Sequence, residues 1–189
     1  MNAYLPNDVW YEATGDFVKL YPKTGHIKLA DNPNHPPIHF RGGYILPIAY
    51  KRAVNTEILR QKPIQLEVYP KNKKAIGDLF WDDGDSIDSI PKKQYNFYTF
   101  ELLPNCSVEI QVQNKGYVSK DPHIIDKILV ANTLNANISA KVDNKDITGT
   151  VVSKDDYLVI PVNIDLNSGK VGQKWIISWK TSTNTCNLK

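Results

Sequence analysis

The densest group of side chains that could do chemistry is acidic and lies in the stretch LFWDDGDSIDS. Its carboxylates, Asp82, Asp83, Asp85 and Asp88, surround Gly84. Carboxylates are ligands that Ca²⁺ prefers, but the spacing differs from that of the EF-hand loop, which ends on a glutamate. Neighbouring carboxylates on one turn also do not flank a sugar from two sides. We interpret the stretch as a strand and an Asp-Gly turn whose side chains accept from turn amides, with bound calcium as the alternative.

The other residue types that commonly act in catalysis show no arrangement typical of an active site. The histidines follow no zinc-ligand spacing such as H-E-x-x-H, and they are His26, His35, His39 and His123. No G-x-S-x-G motif is present, and Cys106 has no histidine in its local sequence. We therefore predict no catalytic residue, no metal and no cofactor in this chain.

Two cysteines and two glycosylation motifs indicate a parent protein of the secretory pathway. The cysteines, Cys106 and Cys186, fit no metal-ligand spacing. The N-x-S glycosylation motifs begin at Asn105 and Asn137. In an oxidising compartment a Cys106–Cys186 disulfide would persist, and it would stabilise the fold by about 4 to 5 kcal/mol in the chain-entropy model. The alternative is a pair of unlinked thiols in a chain that meets no such compartment.

Composition and charge exclude several classes of partner. Hydrophobic residues make up 41% of the 189 residues and charged residues 23%, which is typical of a globular protein. The net charge of +3 arises from interspersed lysines and acids without a long basic run, so we predict no nucleic-acid binding. No apolar run is long enough to span a bilayer, and the first residues lack the apolar core of a signal peptide. The strand-like start predicts that Met1 lies inside a longer parent.

The elements that position these residues are predicted to be strands. Apolar and polar residues alternate in IQLEVY, SVEIQVQ, YLVIPVNIDL and WIISW, so each segment turns one face to a core and the other to water. Turn motifs such as ATGD, KTGH and DDGD separate the strands, and only KRAVNTEILRQK could hold a short helix, which Pro63 ends. Pro161 predicts a sheet edge or a bulge. The pattern is typical of an all-β fold of antiparallel β-sandwiches.

A change of composition near residues 61 to 63 predicts a domain boundary. The chain before it is rich in proline, glycine and histidine, and the alternation after it is regular. We predict an incomplete smaller domain over residues 1–62 and a larger domain over residues 63–189. Within the first, HFRGGYILP contains the adjacent glycines Gly42 and Gly43. This pair predicts a bulge or a close backbone approach, because glycine enters positive φ freely and carries no side chain.

Four stretches of the chain resemble glycoside hydrolase family 31. AYLPNDVWYEATGD is similar to the segment that follows the catalytic barrel, and IHFRGGYILP resembles the family motif I-P-x-x-x-R-G-G-x-I-x-P, with Pro37 and Ile38 in reversed order. NTEILRQKPIQLEVYP is similar to the following link through Thr56, Arg60 and Pro63. GDLFWDDGDSID resembles the motif G-x-L-(F/Y)-x-D-D-G-(E/D)-S. The closing stretch, GQKWIISWK, also resembles the C-terminal end of the animal α-glucosidases of this family. Together, these stretches extend the similarity over essentially the whole chain.

The resemblance implies the two C-terminal β-sandwich domains that follow the barrel, a proximal one over 1–62, whose first strand would precede Met1, and a distal one over 63–189. The implied parent hydrolyses terminal α-linked glucose from maltose, malto-oligosaccharides or sucrose with retention, and is lysosomal, cell-surface or extracellular. The family's nucleophile motif, W-x-D-M-N, is absent. We therefore expect this chain alone to be inactive, with the parent's own barrel as its partner and the oligosaccharide reached only through that parent.

The resemblance also suggests a role for the glycine pair. We predict that Gly42 and Gly43 let the backbone approach a neighbouring element, while Arg41 spans the interface with the barrel in a charge-assisted hydrogen bond. The alternative is an internal bulge with Arg41 in an ordinary surface ion pair.

For the whole chain, the alternative is a free-standing secreted module that binds glycans or serves as an antigen. Aromatic side chains in alternating strands are more often core residues than sugar contacts. We predict a core position for each of the four tryptophans, with a sugar-stacking platform as the alternative; they are Trp10, Trp81, Trp175 and Trp179.

Overall fold

Nearly all of the regular secondary structure in the described residues is β-strand, which confirms the predicted all-β class. The computed structural model describes residues 2–14, 17–29, 34, 36–133, 138–147, 151–154, 156–181, 186 and 188. In chain order the strands are β1 Asn2–Leu5, β2 Trp10–Thr14, β3 Phe17–Tyr21, β4 Gly25–Lys28, β5 Ile38–Arg41, β6 Tyr44–Ile48, β7 Ile64–Tyr69, β8 Ala75–Trp81, β9 Asn96–Leu103, β10 Ser107–Lys115, β11 Ile124–Ala131, β12 Ile138–Val142, β13 Lys145–Asp146, β14 Val152–Lys154, β15 Tyr157–Asp165 and β16 Lys174–Thr181. A short helix, α1, spans Thr56–Arg60, within the segment predicted to be helical, and a 3₁₀ turn spans Leu166–Ser168.

Two small antiparallel sheets form the N-terminal part of the described structure. β1 pairs with β4, and β2 lies between β3 and β5 in a three-stranded sheet. Leu5, Ile27 and Leu29 form a small apolar cluster, against which Trp10 packs. A second cluster, formed by Tyr11, Tyr69 and neighbouring side chains, joins the three-stranded sheet to the rest of the molecule.

The remaining strands form one sheet of eleven strands within the described residues. Their order is β13-β12-β16-β10-β9-β8-β6-β7-β11-β15-β14. The sheet is curled, so its inward side chains pack into a single core. Both halves of the sheet contribute fully buried residues to that core, and these include Leu66, Val68, Ile128, Leu158 and Ile160 from one half and Leu102, Val108, Ile110, Ile177 and Trp179 from the other. Each fully buried aliphatic or aromatic side chain stabilises the fold by roughly 1.5 to 3 kcal/mol.

The large sheet is mixed rather than purely antiparallel as the sequence pattern predicted. β6 lies parallel to β8, and β7 lies parallel to β11. Alternation shows which face of a strand is buried but does not encode the direction of its partner. β7 is also buried on both faces, as parallel strands usually are. Gln65, predicted to face water, is only 7% exposed and donates a hydrogen bond to Glu67 Oε1 at 2.5 Å.

Pro161 lies where the sequence predicted an irregularity. It faces Lys127 of β11, next to a β-bulge between Ile125 and Lys127. The pairing of β14 with β15 ends at Val159, so the ring interrupts no ladder on that side. Within the described residues, no helix has the length and apolar character needed to cross a membrane.

Candidate functional site

The chain passes from the three-stranded sheet to the large sheet at Gly42 and Gly43. β5 ends at Arg41 and β6 begins at Tyr44. Gly43 has a φ of +92°, a left-handed conformation that favours glycine. Its N–H donates to the carbonyl of Tyr69 at 2.7 Å, and its own carbonyl accepts from the N–H of Ile76 at 3.0 Å. The chain therefore passes from one sheet to the other at the glycine pair, and both backbone groups of Gly43 are bonded to the large sheet.

Gly42 makes the close backbone approach. Its N–H donates to the carbonyl of Val9 at 2.8 Å. A Cβ atom on Gly42 would lie 2.8 Å from Val9 Cγ1 and 2.9 Å from Val9 Cβ. The neighbouring element is therefore the loop before β2, inside this chain.

Asp8, in the same loop, connects three segments. Its Oδ2 accepts from Arg41 Nε at 2.8 Å and lies 2.7 Å from Arg41 Nη2, and its Oδ1 lies 2.6 Å from Lys71 Nζ. Its side chain is only 4% exposed, whereas those of Arg41 and Lys71 are 56% and 42% exposed. We call Asp8, Arg41, Gly42, Gly43 and Lys71 the Asp8 junction.

The Asp8 junction is held by charge. The hydrogen bond from Lys71, then those from the Val9 N–H and from Arg41, hold the pKa of the Asp8 carboxyl well below its usual range. The same pairing raises the pKa of Arg41. Arg41 is thus paired within the chain, and its contact with another domain stays a prediction. Sequence reasoning missed Asp8 and Lys71, because both partners of Asp8 lie more than 30 residues away along the chain.

The predicted boundary at residues 62 and 63 also stays a prediction. The change of sheet occurs earlier, at the Asp8 junction, and β6, which precedes the boundary, pairs with β7, which follows it.

A second cluster forms around Arg60, the last residue of α1. Its Nη2 donates to the carbonyl of Asp82, its Nε lies 3.6 Å from Asp121 Oδ2, and its guanidinium carbon lies 4.2 Å from the centre of the Trp81 ring. His123 contacts the same ring edge-on, with the ring centres 4.1 Å apart. We call Arg60, Trp81, Asp82, Asp121 and His123 the Arg60 cluster. It joins α1, the end of β8 and the segment before β11, and several of its residues line an open cleft of about 690 Å³.

His123 is the most buried member of this cluster, at 1% exposure. Burial, followed by the positive charges of Lys115 and Arg60, lowers the pKa of His123 to about 4. The imidazole is therefore neutral at neutral pH. Arg60 was indicated by its place in one of the family-like motifs, but no sequence pattern indicated its contact with His123.

The acidic stretch forms the predicted Asp-Gly turn. Asp82 accepts from the Gly84 N–H at 2.9 Å and from Ser89 Oγ at 2.7 Å. Asp83 accepts from the hydroxyl and the N–H of Ser86 and from the N–H of Asp85, which lowers the pKa of Asp83 to about 2.

Asp88 pairs with Lys92 at 2.5 Å. In the part of the chain that the structure describes, no group of three or more His, Cys, Asp or Glu side chains is placed to hold a metal ion. The Asp-Gly turn is therefore present, and the calcium alternative stays a hypothesis.

The predicted disulfide and one of the two predicted glycosylation residues, Asn105, meet in the turn between β9 and β10. Cys106 and Cys186 form a disulfide, with their Cα atoms 5.3 Å apart. Asn105 is exposed, and its Oδ1 accepts from Ser107 Oγ at 2.7 Å. Asn137, the other glycosylation candidate, and His35 lie outside the described residues.

The tryptophans divide between the core and partly covered positions. Trp175 and Trp179 are buried in the main core, at 8% and 1% exposure. Trp10 donates from Nε1 to the carbonyl of Pro6 at 2.9 Å, and the Trp81 ring is contacted by Arg60 and His123. Both rings are only half-buried, so the predicted core position is wrong for these two. The structure therefore does not bring the four rings together into a stacking platform.

The sequence is similar to intestinal sucrase-isomaltase from Suncus murinus. The two are 32% identical over 176 residues, a match that covers 90% of this chain and 10% of the relative. The chain belongs to glycoside hydrolase family 31. This confirms the resemblance drawn from the motifs, although a search of protein-family models finds no match.

Solved structures related to family 31 share the fold. The catalytic subunit of ER glucosidase II, in a complex with the binding domain of its regulatory subunit, matches with a TM-score of 0.69 and 19% identity, over 94% of this chain and 21% of that chain. A family 31 dextranase from Flavobacterium johnsoniae matches with a TM-score of 0.65 and 15% identity, over 95% of this chain and 24% of that chain. This chain therefore spans only a fraction of these relatives.

Proposed function

We propose that this chain is the non-catalytic C-terminal β-sandwich part of an α-glucosidase and that it braces the catalytic barrel of its parent. The observation that carries the proposal is the match to sucrase-isomaltase, which takes in 90% of this chain but only 10% of the relative. The parent hydrolyses terminal α-linked glucose in maltose, malto-oligosaccharides or sucrose with retention of configuration. The chain alone has no enzymatic activity.

The chemistry of the two clusters supports a non-catalytic role. Glycoside hydrolysis requires two carboxyl groups on either side of the scissile bond. In the Asp8 junction the carboxylate is taken up by two cations, and in the Arg60 cluster the Asp82 carboxylate accepts from a hydroxyl and a turn amide. Both clusters hold segments of this chain to one another, so their carboxylates serve the fold rather than hydrolysis, as expected of a non-catalytic part.

A chimera tests the bracing role. The segment of Suncus murinus sucrase-isomaltase that matches this chain is replaced by these 189 residues, and a second variant lacks the segment. We expect the chimera to be secreted and to hydrolyse maltose, the deletion variant to lose both properties, and the purified chain alone to release no glucose. Hydrolysis of maltose by the chain alone, or full activity of the deletion variant, would contradict the proposal.

The parent is a glycoprotein of the secretory pathway. The disulfide between Cys106 and Cys186 supports this location, because such bonds persist in oxidising compartments. The test is expression of the parent in its own cells, followed by electrophoresis with and without reductant and with and without endoglycosidase. A mass that neither treatment changes would contradict a secretory location.

A second candidate function, glycan binding, is favoured by one groove on the outward face of the large sheet. The groove has a volume of about 350 Å³ and combines the aromatic rings of Tyr44 and Phe97 with polar groups of Glu101 and Gln111. Aromatic faces and a few polar groups are what a sugar site needs. Titration with malto-oligosaccharides tests it: saturable fluorescence changes that Tyr44→Ala abolishes would support binding, and an unchanged spectrum would remove it.

A further inference from the structure

The turn between β9 and β10 places three residues with different chemistry side by side. Asn105 is exposed, Cys106 is fully buried in its disulfide with Cys186, and Ser107 is only 2% exposed. Together, Asn105, Cys106 and Ser107 form an acceptor motif for N-linked glycans. The motif thus shares its central residue with the disulfide.

The folded turn hides the part of the motif that an enzyme must reach. Cys106 has a φ of +59°, and its carbonyl accepts from the N–H of Trp179 at 3.0 Å. The hydroxyl of Ser107 is already donated to Asn105 Oδ1 at 2.7 Å. A glycosyltransferase that recognises the N-x-S motif has to contact the hydroxyl at the third position. In the folded chain, that contact requires the start of β10 to leave the sheet.

We propose that Asn105 carries an N-linked glycan that can be attached only before the Cys106–Cys186 disulfide forms and β10 folds. In the transfer step, Asn105 Nδ2 attacks the anomeric carbon of an oligosaccharide held on a lipid pyrophosphate. The new C–N bond replaces the C–O bond to the pyrophosphate, the lipid pyrophosphate leaves, and an amide proton passes to a base. The later disulfide step transfers two electrons and two protons from the thiols to an oxidised protein dithiol.

The order of the chain favours glycosylation first. Cys186 follows Cys106 by 80 residues. At the usual rate of synthesis, about 5 to 20 residues per second, Asn105 is available for about 4 to 16 s before Cys186 is made. Disulfide formation then takes seconds to hours. Because Asn105 is exposed in the final fold, a glycan attached early extends from the surface without disturbing the core.

The second motif is a control within the same chain. It begins at Asn137, and its hydroxyl residue, Ser139, is exposed on β12, in contrast to the buried Ser107. No cysteine lies in this motif. The occupancy of Asn137 should therefore not depend on the disulfide.

The experiment measures glycan occupancy of the full chain by mass spectrometry at three stages. In the first stage, the chain is fused to a cleavable signal peptide and translated in the presence of microsomes. In the other two stages, the chain is purified without glycans and given transferase and lipid-linked oligosaccharide, once oxidised and folded and once reduced and unfolded. We expect Asn105 to be occupied during translation and in the reduced chain, and at least tenfold less in the folded chain. Asn105→Gln should remove one glycan, and Asn137→Gln should leave Asn105 unaffected.

Two results would overturn the inference. One is that Asn105→Gln carries as many glycans as the wild type after translation, which would show that Asn105 is not glycosylated. The other is that Asn105 is modified as completely in the folded, oxidised chain as in the reduced chain, which would show that glycosylation does not have to precede the disulfide. Cys106→Ala keeps the glycosylation motif and removes the disulfide, so it should raise the occupancy of Asn105 in the purified chain. If this variant does not fold, the comparison of the oxidised with the reduced wild-type chain still tests the order. Because the assay supplies the transferase, its outcome does not depend on the proposed location of the parent.

Discussion

The Asp8 junction and the Arg60 cluster each join three chain segments through one central charged side chain. The central side chain is an anion, Asp8, in the junction and a cation, Arg60, in the cluster. In the junction, the carboxylate of Asp8 is 4% exposed and its two cations are largely in water. In the cluster, the guanidinium of Arg60 is 24% exposed and contacts a carbonyl, an aromatic ring and a carboxylate. Salt and solvent screen exposed cations strongly and partly buried ones much less. The comparison indicates that the cluster contributes more to stability and that the junction is the more sensitive to salt.

The largest effect is expected from Arg60→Ala. This change removes the hydrogen bond to the Asp82 carbonyl and the contact with the Trp81 ring, so we expect a loss of about 2 to 4 kcal/mol in the free energy of unfolding. Urea unfolding followed by tryptophan fluorescence measures it. Arg60→Lys is the matched control: it keeps the charge but not the planar fork, and should recover only part of the loss. A loss below about 0.5 kcal/mol would show that the cluster is no more than a surface pair.

A pH effect of about 2 kcal/mol is expected from His123. The pKa of His123 is about 4 in the folded chain and near 6.5 when unfolded, so between these values the unfolded chain binds more protons. The free energy of unfolding therefore does not depend on His123 above pH 6.5. As the pH falls below that value, proton uptake by the unfolded chain lowers the free energy of unfolding, by about 2 kcal/mol at pH 5. Asp8 and Asp83, whose pKa values are lowered from 3.8, lose their contributions only below about pH 4.

Urea unfolding at pH 8 and pH 5 measures the His123 effect. His123→Gln is the control, because its side chain does not titrate and should leave a smaller difference between the two pH values. An equal difference in wild type and variant would show that His123 does not stay neutral in the folded chain.

A loss of about 1 to 2 kcal/mol is expected from Gly43→Ala. The φ of +92° at Gly43 forces any L side chain into the left-handed region, where the clash with the backbone costs about that amount. Gly25→Ala is a matched control, because Gly25 has a φ of +80° and no atom lies within 4 Å of a Cβ placed there. Similar losses at both positions would assign the cost to the backbone. No loss at Gly43 would show that the junction can adopt another turn.

The Asp-Gly turn beside the Arg60 cluster and the Asp8 junction also differ in how far the sequence predicts them. The Asp-Gly turn was predictable because Asp82, Asp83 and their donors lie within a few residues of one another, and the strands were predictable from their alternation. The Asp8 junction was not, since Asp8, Arg41 and Lys71 meet only after two sheets have formed. The burial of the second face of β7 was missed for a similar reason: at one end of that face Tyr69 packs against Tyr11 and Phe40 of the three-stranded sheet, and a local pattern carries no information about such a cover.

The smallest effect is expected from Arg41→Ala in the chain alone. The Arg41 side chain is 56% exposed, and Lys71 still neutralises Asp8 after the change. The melting temperature should therefore fall by less than in Gly43→Ala, and the difference from wild type should shrink in 1 M salt, because screening weakens the same ion pair. In the sucrase-isomaltase chimera, the same substitution distinguishes the two roles of Arg41. A larger fall there than in the isolated chain would support a contact with the barrel, whereas an equal fall would leave Arg41 as a partner of Asp8 alone.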